Sequence, residues 1–163
     1  MNNMYPRELD ATVKDTYMVK IQTPKGEERK FRILNIAKEE EYQAKEDDWI
    51  KDANGYLLVF NINEKESFNS IKKTVDRIKK NNKEKSPIII VGNNRSSEDK
   101  RVVSTEEWEE YSKSIGAKFY ETNTVNDANG NIKNAFQQCA EMILNSLNQI
   151  EKAKPSFPLC NIW

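Results

Sequence analysis

"GYLLVFNINEKESFNSIKKTVDRIKKNN", residues 55–82, holds the pattern that decides the fold. Its first eight residues form a near-continuous apolar run, as expected of a strand buried on both faces. Phe68, Ile71, Val75 and Ile78 then recur at helical spacing beneath a basic outer face. "PIIIVGNN" (87–94) is a second buried strand that ends in Gly and Asn. Strand, helix and strand in this order imply a crossover and a parallel pair.

The pattern continues toward the C-terminus. "STEEWEEYSKSIG" places Ser104 and Glu107 in capping-box register and stops at Gly116. "AKFYET" (117–122) reads as a short strand. From Ile132 a stripe of Ile132, Phe136, Cys139, Ile143, Leu147 and Ile150 predicts a last helix, ended by Pro155 and Pro158. Toward the N-terminus, "TYMVKIQT" (16–23) alternates Tyr17, Val19 and Ile21 on one face. "PKGE" is a turn and "RKFRILNI" a second strand, so residues 16–36 predict an antiparallel hairpin. An acidic loop joins the hairpin to residue 55. The expectation is one α/β domain with a mostly parallel sheet, its ligand crevice beyond the carboxyl ends of the strands. Those ends are Asn35–Glu41, Asn61–Asn63, Asn93–Ser97 and Thr122–Val125.

Composition narrows the chemistry. Basic and acidic residues balance at 26 each, so no overall field draws the chain to nucleic acid or anionic membrane. Neither long apolar run approaches the about 20 residues of a bilayer span, and "MNNMYPRELD" has no apolar centre for a signal peptide. A cytoplasmic protein is the expectation. The chain has no histidine and 2 cysteines, Cys139 and Cys160, which removes Ser-His and Cys-His nucleophiles and the commonest metal ligand.

Read in order, the strand ends resemble the Ras family of small GTPases over nearly all the chain. "ATVKDTY" (11–17) is similar to the family's effector segment, and "ILNIAKEEEY" (33–42) to its ILDTAGQEEY. "GYLLVFNINEKESF" (55–68), "VGNNRS" (91–96) and "ETNTV" (121–125) follow at compatible spacing. The resemblance implies a three-layer small-GTPase-like fold of the P-loop NTPase type. It also implies an effector-like segment at Asp10, Ala11, Thr12, Val13, Lys14, Asp15, Thr16 and Tyr17. GTP or GDP and magnesium are the family's ligands.

Against that pattern the chain departs at nearly every charged position. The family cradles phosphates with GxxxxGK[ST], and the 163 residues contain no such motif. By resemblance the first strand and first helix are therefore expected to be absent. That strand lies mid-sheet in the family, so two apolar strand edges are expected to stay open or to pair with each other. Thr12 matches the family's magnesium-binding threonine. Asn35 replaces the aspartate of DxxG, a weaker partner for a hard dication. Lys38 replaces the glycine that approaches the γ-phosphate, and Glu39 the glutamine that positions water. Asn93 is retained, while Asn94 replaces lysine and Ser96 the aspartate that reads guanine. Losing two charge-assisted bonds of about 1.5–3 kcal/mol each implies about two to four decades in affinity. Asn123, Thr124 and Val125 replace Ser-Ala-Lys.

Plainer structural readings stand beside these. Lys38–Glu41 reads as a solvated turn, Asn93 and Asn94 as residues that turn the chain after a strand, Thr12 and Asp15 as strand entry, and Cys139 as core. Cys160 in "CNIW" stands at the C-a-a-X position, but Asn161 is not aliphatic and Trp163 is outside the usual terminal residues. One lipid there would give weak anchoring to the cytoplasmic face of the plasma membrane. The expected organisation is an incomplete Ras-like domain at 1–152 and a tail at 153–163. The leading function is a signalling protein without GTPase activity of its own, a binding module for Ras-family effectors or regulators, with no resident cofactor. The rivals are an active Ras-type GTPase hydrolysing GTP to GDP, whose P-loop is missing from this sequence, and a product without function.

Overall fold

The structure, a computed structural model, describes residues 14–22, 26, 28–36, 43–82, 86–94, 100–123 and 130–153. Its order is β1 (Lys14–Gln22), β2 (Glu28–Ile36), α1 (Gln43–Asp52), β3 (Tyr56–Asn61), α2 (Lys65–Asn81), β4 (Ile88–Asn94), α3 (Thr105–Ser114), β5 (Lys118–Asn123) and α4 (Asn131–Ala153). β3, β4 and β5 form a parallel sheet in that order, each crossover made through a helix. β1 and β2 form the expected antiparallel hairpin, with Val19 opposite Phe31. The hairpin is a separate sheet. β2 does not pair with β3, so the two facing candidates for an open edge have not closed on each other.

The layers follow from strand alternation. Phe60, Ile62 and Ile90 face α2 and α3, where they meet Phe68, Ile71, Val75, Val103 and Trp108. Ile89 and Val91 face the other way, against Ala135, Cys139 and Met142 of α4. All four apolar positions read on α2 are buried. Trp108 packs edge-on to Phe60 and Phe119, at centroid distances of 5.9 and 5.0 Å. The serine half of the capping box holds: Ser104 Oγ accepts from Glu107 N–H at 3.2 Å, while the Glu107 carboxylate bonds Lys65, and Gly116 leaves the helix at φ +71°.

Three expectations need correction. The linker before residue 55 contains α1, whose "QAKEDDWIKD" has too few apolar residues to show a helical period. It is held instead by tertiary contacts: Ile50 buries against Tyr56 and Ile78, and Asp47 accepts from Arg77 and Asn81. On β3, Val59 is 55% exposed rather than buried, and no strand among the described residues lies beside that edge. On α4 the buried centre is Ala135 and Ala140, while Leu147 is exposed. Alanines let the helix lie close to the sheet, and a Cβ on Gly55 would come within 2.6 Å of Ile143 Cγ1. At roughly 1.5 Å per residue the 23-residue helix also outruns strands of 6 or 7 residues, which rise roughly 3.3 Å each. Leu147 therefore has little sheet to cover it. The side chain of Ile150 lies outside the described set.

Candidate functional site

Parallel strands all end on one side, so the register decides which end residues become neighbours. Asn61 lies beside Asn93, Asn93 beside Thr122, and Asn94 beside Asn123. Asparagine suits these places because its amide bonds the backbone as the chain turns. Asn61 Oδ1 accepts from Asn63 N–H at 3.1 Å, and Asn61 N–H donates to Ser67 Oγ at 3.0 Å in the first turn of α2. Ile62 extends the ladder by one bond to Asn93 O, and its own carbonyl accepts from Val102 and Val103 N–H at 2.9 Å each. This ties the segment after β4 back over the sheet end.

Side chains close the rest of the rim. Thr122 Oγ1 donates to Asn93 Oδ1 at 3.1 Å, which fixes the amide of Asn93 across two strands. Asn131 Nδ2 donates to Glu121 O at 2.8 Å and pins the start of α4 to the end of β5. Arg101 bonds Glu121 Oε1 at 2.5 Å, both about one third exposed. Asn94 Oδ1 is buried without a hydrogen-bond partner among the described residues. A buried acceptor of this kind costs about 1–3 kcal/mol until something donates to it.

Asn93, Asn94 and Asn123 are thus neighbours at the ends of β4 and β5. Asn35 is not among them: it is exposed on β2, opposite Asp15 of β1, in the other sheet. Thr16 and Tyr17 are exposed on β1, and Lys14 and Asp15 are in the same strand. Asp10, Ala11, Thr12, Val13, Lys38, Glu39, Ser96, Thr124, Val125 and Cys160 lie outside the described residues. Sequence reading missed Ser67, Arg101, Glu121 and Asn131. Of these only Asn131 carried a local signal, next to Gly130 at the start of an apolar stripe; the others matter through contacts 6 to 20 residues away.

Apart from one ion pair, the described residues of the rim are neutral amides and hydroxyls that can donate to or accept from a polar ligand. Its charged pair, Arg101 and Glu121, is bonded to itself. No group of three His, Cys, Asp or Glu able to hold a metal occurs among the described residues. Cys139 is remote from the rim, in the layer between α4 and the sheet, where burial pushes its thiol up to about 11. It is a neutral packing group at pH 7, as the plainer reading had it. No helix among the described residues is long and apolar enough to cross a membrane.

Comparison with known proteins agrees with the strand-end pattern. The family model described as Ras family matches residues 1–145. The chain is 36% identical to Protein ras-1 of Neurospora crassa over 132 residues, 79% of this chain and 60% of that protein. It is 29% identical to Ras-related protein R-Ras of Mus musculus over 160 residues, 97% and 72% of the two. With Ras-related protein Rab-3C of Bos taurus the identity is 29% over 133 residues, 81% and 58%. The chain therefore spans about three fifths of the length of the first of these curated relatives. The α/β/α layering, the parallel β3–β5 sheet and a family match over 145 of 163 residues lead to one assignment: the chain belongs to the Ras family of small GTPases.

Proposed function

We infer that this Ras-family chain acts in signalling as a binding module and does not hydrolyse GTP on its own. The observation that carries the reading is the set of amides and hydroxyls that the described residues place at the ends of β3, β4 and β5. The family's guanine nucleotide asks for a cation and a carboxylate there. This chain offers Asn94, an uncharged amide with a buried acceptor oxygen, where a lysine would donate. Such a donor set fits a guanine nucleotide poorly. The sequence supports the same reading at Asn35, Lys38, Glu39 and Ser96, where an aspartate, a glycine, a glutamine and a second aspartate are replaced.

On this reading residues 1–152 form the Ras-like domain and 153–163 a tail. The hairpin, with Thr16 and Tyr17 exposed, presents the effector-like surface to Ras-family effectors or regulators. A lipid on Cys160 would add weak attachment to the cytoplasmic face of the plasma membrane.

The test is the nucleotide content of the purified chain, read by ion-exchange chromatography after denaturation. The expected result is no GDP or GTP near one equivalent and no GTP turnover above buffer. A preparation that carries one equivalent of guanine nucleotide would overturn the reading and favour an active GTPase.

A further inference from the structure

Glycine has no Cβ, so the side chain of the residue before it meets little hindrance at the next backbone nitrogen. For asparagine this has a chemical consequence, because that nitrogen can attack the asparagine's own amide carbon. Of the described asparagines only Asn54 is followed by glycine. It is exposed and lies between α1 and β3, outside helix and strand. No backbone carbonyl among the described residues accepts from the Gly55 N–H.

The residues on either side of this pair are held. Ala53 O accepts from Asn82 Nδ2 at 3.1 Å and from Ser86 Oγ at 3.2 Å, and Tyr56 N–H donates to Pro87 O at 2.9 Å. Gly55 itself is set so tightly that a Cβ would stand 2.6 Å from Ile143 Cγ1 and 3.4 Å from Pro87 Cγ. An exposed, reactive amide is thus followed by a backbone with an anchor on each side and no spare room.

We propose that Asn54 is a site of spontaneous deamidation, and that its isoaspartate product unlocks the joint between α1 and β3. The Gly55 nitrogen, having lost its proton to solvent base, attacks Asn54 Cγ, and the side-chain nitrogen leaves as ammonia. The product is a five-membered succinimide in which the main chain keeps its length, so ring closure does not stretch the span between the anchors. Water then adds to one ring carbonyl and breaks its bond to the ring nitrogen. Opening at Cγ restores the main chain, with an aspartate at position 54. Opening at the α-carbonyl frees the α-carboxylate and routes the main chain through the former side chain, one carbon longer. Between Ala53 and Tyr56 that added carbon has to push Gly55 toward Ile143 or break an anchor. Age, and not a ligand, then loosens the contact of α1 and β3 with the end of α2. The proposal is independent of the nucleotide reading, since it uses no residue of the strand-end rim.

Ageing the purified 163-residue chain in mildly alkaline buffer tests it, with peptide mapping and amide hydrogen exchange on the same samples. Cleavage after Lys51 and Lys65 releases residues 52–65, whose fragment masses separate Asn54 from Asn61 and Asn63. The expected result is a gain of one mass unit at Asn54, mostly as isoaspartate, and faster at higher pH because the attacking nitrogen has to lose a proton. Chains that carry the isoaspartate should exchange several-fold faster in α1 and at the start of β3, with α3 unchanged. Asn54→Gln should abolish the gain, because its cyclisation needs a six-membered ring. Asn54→Asp adds the charge without the extra carbon, and when freshly made it should keep the protection of the original chain. An Asn54 that stays intact in the folded chain while the isolated 52–65 peptide reacts overturns the proposal. So does a gain shared equally with Asn61 and Asn63. Isoaspartate-bearing chains that exchange like fresh ones, or equal loosening by Asn54→Asp, would overturn the unlocking. The ageing and exchange measurements use the unmodified chain and decide the matter even if a variant fails to fold.

Discussion

The hairpin and the parallel sheet are made from similar material and reach opposite ends. β1 and β2 are nine residues each, longer than β3, β4 or β5, and their register is unbroken across all nine positions. Even so, no described hairpin residue is buried, and Val19, Ile21, Phe31, Ile33 and Leu34 reach only partial burial. The shorter strands of the parallel sheet bury Phe60, Ile89, Ile90 and Val91 almost completely. Pairing length is not what separates them. The parallel sheet has α2 and α3 on one face and α4 on the other. The hairpin is attached on one side, where β1 meets α4 and Gln137 Nε2 donates to Gln22 O at 3.0 Å. Layers bury side chains; a ladder alone fixes register.

The largest test of that contrast compares two aromatic truncations. Trp108 is 1% exposed among Phe60, Phe68 and Phe119, so Trp108→Ala should cost about 3–5 kcal/mol in a urea melt. Phe31→Ala in the hairpin should cost about 1 kcal/mol, since only part of that ring leaves water on folding. Equal costs would mean that the hairpin shares the main core, and the contrast would fail.

A buried polar knot gives the second test. Asn82 Nδ2 donates to Ala53 O at 3.1 Å, to Ile50 O at 3.3 Å and to Tyr56 Oη at 2.6 Å, and Tyr56 Oη donates to Ile50 O. These bonds anchor α1 and the start of β3 to the end of α2. Burial raises the Tyr56 hydroxyl above its ordinary value, which keeps it a neutral donor at pH 7. Asn82→Ala removes the amide that bonds the Ile50 and Ala53 carbonyls and the Tyr56 hydroxyl, although Ser86 Oγ still donates to Ala53 O at 3.2 Å, and should cost about 2 kcal/mol. Hydrogen exchange should then quicken in α1 and β3, with the hairpin unchanged; a loss of protection spread over the hairpin as well would join the two regions into one cooperative unit.

How much of this was legible follows the same division. α2 and the capping box of α3 could be read because their signals are local: four apolar residues at helical spacing, and a serine three before a glutamate. The β3–β4–β5 order could be anticipated because strand and helix alternate. α1 could not, because Asp47 and Ile50 act through residues about 30 positions away. The exposed Val59 escaped for a related reason, since an apolar run says that a strand prefers burial and not whether a neighbour exists on both sides. Of the rim, the three asparagines were visible through their positions at strand ends. The Asn93–Thr122 bond and the orphaned Asn94 oxygen depend on register, which one strand alone does not define.

A smaller effect probes how closely α4 is set against the sheet. A methyl group at Gly55 would lie 2.6 and 2.7 Å from Ile143 Cγ1 and Cδ1. Both atoms belong to a side chain that can swing, so Gly55→Ala should cost about 1 kcal/mol, at the low end for overpacking. In an Ile143→Ala background the penalty should vanish, and a double-mutant cycle would show the coupling. A penalty that persists would place the strain in the backbone and not in the helix contact.

The smallest effect concerns the surface ion pairs, which do not follow the contrast in burial. Lys20 and Glu28 bond at 2.8 Å across the hairpin, both more than half exposed, and water screens nearly all of that attraction. Glu28→Gln should leave the urea midpoint where it is. Glu107 is set differently. It bonds Lys65 at 2.5 Å, lies 3.9 Å from Lys72, and is about one third exposed between α2 and α3. Lys72 also sits over the Phe68 ring at 4.4 Å, so it has little freedom to move away. Glu107→Gln would leave two lysines facing each other and should cost about 0.5–1 kcal/mol at low salt. In about 1 M salt, where the screening length falls to about 3 Å, most of that cost should disappear. A cost that salt does not reduce would mean that Glu107 stabilises through its hydrogen bonds and packing, and that charge contributes as little between the helices as it does across the hairpin.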